Sequence, residues 1–312
     1  MPALSARLPS PLATTARWLA MLSAALAIGV AGWIGYCEYR NSVDAPPPSE
    51  SELRERLSRA RHWIYANSES LLNDDNAVLW LFVRDAGRTT GDLKLLDLAS
   101  EFQVRRVNGT LMQYLFDPDG SEQIAGQQVA FDHTMDDYKR LFVYGATCNG
   151  SAREDAQVQA LLDPKGCIPH LMWLRSPWCR THQLMGLRFV QKNRCEPDAD
   201  TAATVRKVQD GILSELHWDF RVEDAYLQKI LTLLESGRRR DIKAVWVRRI
   251  LEAQRPDGGW DGVDVIAHLP GDRVLAWAGG RLYPVITSRP ASTFHATAQG
   301  LYLLALLLQD GH

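Results

Sequence analysis

The stretch Arg249-Ile-Leu-Glu-Ala-Gln254-Arg-Pro-Asp-Gly258-Gly-Trp260, followed later by Phe294-His295-Ala-Thr297-Ala-Gln299-Gly-Leu-Tyr-Leu-Leu, decides the fold. Its first part reads as an amphipathic helix closed by a Pro-Asp-Gly-Gly turn, with a Trp just beyond. From Leu301 to Leu308 the second part is apolar on nearly every side, the pattern of a helix buried all round. An outer amphipathic helix, a Gly-rich turn and a buried inner helix make one wall unit of a double-layered helical barrel.

The same alternation recurs upstream. Ser51 to Asn67 sets Leu53, Leu57, Ala60 and Ile64 on one stripe, and Asn76 to Arg84 is then almost wholly apolar. Leu93 to Phe102 is amphipathic, and Asp136 to Thr147 carries Tyr138, Leu141, Phe142, Val143 and Tyr144. Ala152 to Leu162 pairs with the apolar Leu184 to Val190. Thr201 to Trp218 pairs with Val222 to Leu234, and Ile242 to Ala253 pairs with Thr297 to Leu308. The expectation is an all-α domain of about five helical hairpins, at roughly 40 to 60 residues per unit. Between Asp261 and Pro290, three β-rich runs broken by Gly and Pro predict a small hairpin-like insertion near 261–290.

Gln254-x3-Gly258-x-Trp260 resembles the QW motif of terpenoid cyclases, and Asp257-Gly258-Gly259-Trp260 is similar to turns of the wider α/α-toroid group, which includes the prenyltransferases. The resemblance rests on this one copy. It implies an α/α toroid, a ring of helical hairpins around a central cavity. It does not carry over cyclase chemistry, because the chain lacks an Asp-x-Asp-Asp motif; Asp74-Asp75 stands in another context. The plainer reading of the motif is a helix ending in a tight turn with a packed Trp.

Arg17 is followed by the uncharged run Trp18 to Cys37, long enough as a helix to cross a hydrocarbon core of about 30 Å. Arg7 and Arg17 precede it, while Glu38, Asp44 and Glu50 follow. The positive-inside rule therefore puts residues 1–17 in the cytoplasm and the rest outside. A cleavable signal peptide is the rival, but Pro46 directly after Val43-Asp44-Ala45 disfavours cleavage. Tyr36 before Cys37 argues against a lipoprotein. The expected layout is a single-pass anchor at 18–37 in the inner membrane, a stiff Pro-rich linker at 38–50 and a periplasmic domain at 51–312. A net charge of -2 gives no indication of nucleic-acid binding, so the membrane is the expected partner.

Outside the anchor the cysteines are Cys148, Cys167, Cys179 and Cys195. An even number on the exported side predicts two disulfides. Three connectivities are open. Pairing in sequence order, Cys148 with Cys167 and Cys179 with Cys195, closes short loops. Zinc is the rival, without Cys-x2-Cys spacing to support it.

The segments read as inner helices open with similar polar clusters: Asn73-Asp74-Asp75-Asn76, Asp132-His133 to Asp137, Arg180-Thr181-His182-Gln183, Asp219 to Asp224, and Thr293-Phe-His295. Parallel inner helices would gather these on one rim, where acids and imidazoles can do general acid–base work. Asp, Asn, Ser and Thr there also serve as ordinary N-caps, the reading given to Asp74, Thr134 and Ser292. His is not a favoured cap, so His182 and His295 stand as cavity-lining candidates against satisfied core histidines. Asp224 joins them as the third candidate catalytic residue, with Asp75 and Asp219 behind. Gln228 and Tyr226 can share their face. Metal ligation by His133, His182 and His295 has no support from spacing, and no phosphate loop, nucleophile elbow or dinucleotide fingerprint implies a cofactor. Two functions compete. One is an envelope enzyme acting on a glycan or a lipid-linked substrate by acid–base chemistry. The other is a non-catalytic binding or scaffold protein of the envelope.

Overall fold

The computed structural model describes residues 11–117, 129, 131, 134–167, 177–219, 222, 224–271, 273–278, 284–288 and 291–309. The described chain is mostly helical with one small sheet. Asp132, His133, Arg221 and Glu223, and the segment 120–126 whose sequence reads as irregular, lie outside the described residues.

Five helices carry the apolar segments: α3 (Ala77–Thr90), α6 (Asp137–Thr147), α9 (Cys179–Asn193), α11 (Asp224–Glu235) and α13 (Phe294–Gln309). α13 packs on α3 and α11, and α9 on α6 and α11. α13 is buried from Ala296 to Ala305. Against these five pack the amphipathic helices α2 (Glu50–Leu71), α4 (Leu93–Phe102), α10 (Asp198–Trp218) and α12 (Ala244–Ala253), interleaved with the short α5 (Gln113–Phe116), α7 (Gly150–Arg153) and α8 (Ala156–Leu162). α2 buries Leu53, Leu57, Ala60 and Ile64 on the stripe its sequence predicts. The expected helix at 152–162 is divided, because Asp155 caps α8 by accepting from the backbone N–H groups of Gln157 and Val158. α10 and α11 run antiparallel, since Gln209 reaches the Ser236 carbonyl while Lys229 reaches Glu215. The insertion before α13 is a three-stranded antiparallel sheet, β1 (Val263–Leu269), β2 (Arg273–Ala278) and β3 (Val285–Ser288), in that order.

The Gln254–Trp260 motif joins three elements. Gln254 donates to the Arg56 carbonyl of α2 and to the Gly258 carbonyl, 2.9 Å each. Trp260, 2% exposed, donates its indole N–H to the Ile250 carbonyl at 2.8 Å, and its backbone N–H reaches Thr297 of α13. Gly258 has φ +98°, and a Cβ there would meet the Arg59 carbonyl oxygen at 2.3 Å. Only glycine fits that turn. Gly300 admits the Trp260 ring, whose Cζ3 lies 2.6 Å from where a Cβ would be.

α1 (Pro11–Ser42) includes a span, Thr15–Ser42, long and apolar enough to cross a membrane. It runs on through residues 38–42, read from sequence as the start of a linker. Those residues are not a loose tether. Asn41 donates to the His217 carbonyl at 2.8 Å and accepts from the Trp246 indole at 2.7 Å. Arg248 then holds the Pro46 and Pro47 carbonyls against α12.

All four cysteines expected to pair do so, as Cys148–Cys195 and Cys167–Cys179. Pairing in sequence order does not occur. Cys148 ends α6 and Cys195 follows the end of α9, and these packed helices finish at the same level. With closed segments of 47 and 12 residues, loop-closure scaling makes the two bridges worth about 4 and about 3 kcal/mol. Alkylation without reduction should label none of the four. Replacing Cys148 and Cys195 together by Ser should lower unfolding free energy by more than replacing Cys167 and Cys179, as read by denaturant titration.

Candidate active site

His295 lies in the first turn of α13 and Asp224 opens α11. Their side chains meet, His295 Nδ1 to Asp224 Oδ2 at 2.5 Å. Gln299, one turn after His295 and fully buried, approaches the same ring nitrogen at 3.1 Å. An Nδ1 that gives its single hydrogen to Asp224 cannot accept from an amide N–H, so the Gln299 amide turned with Oε1 toward the ring suits that pairing better. Burial opposes charge on His295, but the Asp224 bond and charge, with Asp74 adding to them, hold its pKa above the ordinary range.

His182, in the first turn of α9, sits beside this pair. Its Nε2 lies 3.2 Å from the Gln228 amide nitrogen, one turn along α11 from Asp224. Gln228 Oε1 lies 2.6 Å from the Thr181 hydroxyl oxygen, whose single hydrogen is also within reach of the Trp178 carbonyl at 2.7 Å. The other ring nitrogen, Nδ1, is sealed from solvent and without a partner. The ring stacks on Tyr138 of α6, with centroids 4.1 Å apart. Burial, then the charge of His295, pushes the His182 pKa down to about 3 against partial compensation from Asp224 and Asp136. Asp136 is held below the usual carboxylate range by its bond to Lys139, and Tyr138 is raised by burial and by Asp136.

The three principal candidates therefore come together from three helix starts. Asp75 does not join them: it is exposed, and its neighbour Asp74 is the one that bears on His295. Asp74 itself accepts from the Asn76 backbone, and Asn76 is the true N-cap of α3. Asp219 is also elsewhere. It is buried against Lys229 at 3.3 Å, and Lys229 is shared with Glu215, which Arg180 also binds. That set is a structural ion network under the rim. Tyr226 bonds Arg249 rather than facing the histidines. Gln299 and Tyr138 were not singled out from sequence as site residues. The spacing His295 to Gln299, equal to that of Asp224 to Gln228, is the signal that points to the first; nothing local points to the second.

The opposite ends of the same helices enclose a cavity of about 750 Å³. Arg188, Glu235 and Tyr302 stand at its wall, with Arg188 bound to Glu235 at 2.9 Å. It is separate from the histidine rim, and Met185 lies between them, touching Gln228 on one side and the cavity on the other.

Chemically, a carboxylate bound to one imidazole nitrogen is an arrangement that can transfer protons: Asp224 engages Nδ1, and Nε2 is the ring nitrogen left for a ligand to meet. His182 is a neutral donor–acceptor beside it. No protein-family model matches this chain, and no curated protein or solved structure is significantly similar to it.

Proposed function

We propose that this is a membrane-anchored, extracytoplasmic α/α-toroid enzyme that acts on an envelope glycan or a lipid-linked substrate by acid–base chemistry. The observation that carries the reading is the Asp224–His295 bond at 2.5 Å beside the half-buried His182, which Gln228 of the same helix as Asp224 meets at 3.2 Å. Perturbed titratable groups converging from separate helices are typical of active sites.

The toroid reading is supported by inward stripes. Asp224, Gln228 and Glu235 fall on one face of α11; His295, Gln299 and Tyr302 fall on one face of α13; His182, Met185 and Arg188 fall on one face of α9. Each runs from the histidine rim to the far cavity, and residues of α3, α6, α9, α11 and α13 all line that cavity. Two disulfides and the apolar α1 support an anchored, oxidising location.

In this reading His295 acts as general acid or base through Nε2, Asp224 orients it and stabilises its charged form, and His182 with Gln228 positions substrate polar atoms. Full-length protein in nanodiscs, incubated with fractionated envelope glycans and lipid-linked precursors, should yield a product detectable by mass spectrometry. Asp224→Asn and His295→Ala should each lower that rate by about 10²- to 10⁴-fold, with the protein still folded at the assay temperature. Wild-type rates in both variants, or no product from any fraction, would replace this reading with the non-catalytic binding protein.

A further inference from the structure

We infer that the rim bearing His182, Asp224 and His295 faces the membrane surface, held there by the docked base of α1, and that its substrate is the headgroup portion of a lipid or lipid-linked molecule. The orientation follows from where α1 leaves the domain. Residues Thr15 to Gly32 are exposed, and contact begins at Trp33. At 1.5 Å per residue that exposed stretch is about 27 Å long, close to a hydrocarbon core of about 30 Å. The membrane boundary thus falls near Trp33, whose indole donates to the Trp218 carbonyl at 3.1 Å. The end of α10 is therefore at the boundary.

α11 runs antiparallel to α10, so its start at Asp224 is the end nearest the membrane and Glu235 the end farthest from it. His295 is bound to Asp224, and His182 to Gln228 one turn in, so both lie at the membrane-side end. Trp178, just ahead of α9 at this end, is 40% exposed, as interfacial aromatics are. The cavity walled by Arg188 and Glu235 opens away from the membrane.

The attachment is rigid. Besides Trp33, Asn41 bridges His217 and Trp246, and Arg249 binds the Arg40 carbonyl. These bonds span both α10 and α12, which removes the rotational freedom that a flexible linker would leave. A rigid mount suits a substrate confined to the same plane, because orientation toward it is then settled in advance.

The substrate half of this inference rests on the enzyme reading above; the orientation half does not. The test uses the full chain in nanodiscs doped with a headgroup nitroxide lipid, with Cys37→Ser and one bimane label at Asp75→Cys (rim) or Lys192→Cys (far end), both exposed. Quenching at position 75 is expected to exceed that at 192 several-fold, and Asp224→Asn should not change it. Releasing the mount with Asn41→Ala and Arg249→Ala, checked by melting, should shrink the difference. Equal or reversed quenching overturns the orientation. If the gradient holds but the wild type turns over a detergent-free, delipidated glycan as fast as the lipid-linked form, the lipid-substrate assignment fails while the acid–base reading stands.

Discussion

Trp260→Ala is expected to destabilise the domain by about 3 to 5 kcal/mol, the range for removing a buried Trp from a core that relaxes only partly. The indole fills space that Gly300 leaves on α13, and its N–H satisfies the Ile250 carbonyl near the end of α12. Truncation thus empties a cavity and frees a buried acceptor at the junction of α12 and α13. Trp260→Phe should cost less, since it keeps most of the packing but loses the hydrogen bond. Equilibrium denaturation of both variants checks the order. A loss under about 1 kcal/mol for Trp260→Ala would mean that the motif is a surface turn rather than a structural junction.

Lys229→Met should cost a similar 3 to 5 kcal/mol, because removing one partner from a buried ion set leaves the others uncompensated. Lys229 is 1% exposed and lies 3.4 Å from Glu215 and 3.3 Å from Asp219, themselves 4% and 6% exposed. Burial already raises the Glu215 pKa. In the variant Glu215 should be raised further, so the folded state takes up protons more readily than the unfolded chain. The deficit should therefore narrow as pH falls from neutral toward the ordinary carboxylate range. Melting curves across that interval read the effect, and a deficit that widens on acidification would contradict the buried-charge account.

How much of this was legible beforehand depends on range along the chain. The alternation of amphipathic and apolar segments marks where the long helices lie, though it stops short of Thr90 and starts late of Cys179, because burial on one face or on all faces is written into local hydrophobic spacing while polar helix ends are not. Gln254 and Trp260 were visible for the same reason, with their contacts set by a short turn. The disulfide partners were not, since Cys148 meets Cys195 only because α6 and α9 end side by side. Asp74 and Asp75 differ by one residue, and which of them bears on His295 depends on the bend before Asn76. Asp219 looked like another rim acid. Its partner Lys229, on the returning helix of the hairpin, claims it for the ion network. His182, Asp224 and His295 stand out in the sequence by their position at helix starts, and they meet because those helices run in parallel. Tyr138 carries no such mark, because an aromatic on an apolar helix reads the same whether it stacks on a core side chain or on an imidazole.

The most direct test of the central claim is an imidazole titration by NMR on His-labelled protein, wild type and Asp224→Asn. His295 should titrate above the ordinary value of about 6.5, and the stability its pairing contributes should be complete below that value and lost as pH rises through the raised one. Asp224→Asn should bring its midpoint down. His182 should stay neutral until pH approaches about 3, its contribution present above the ordinary histidine value and lost as pH falls. If His295 titrates at or below the ordinary value and ignores Asp224→Asn, or His182 protonates in the ordinary range, the paired acid–base rim described here does not exist.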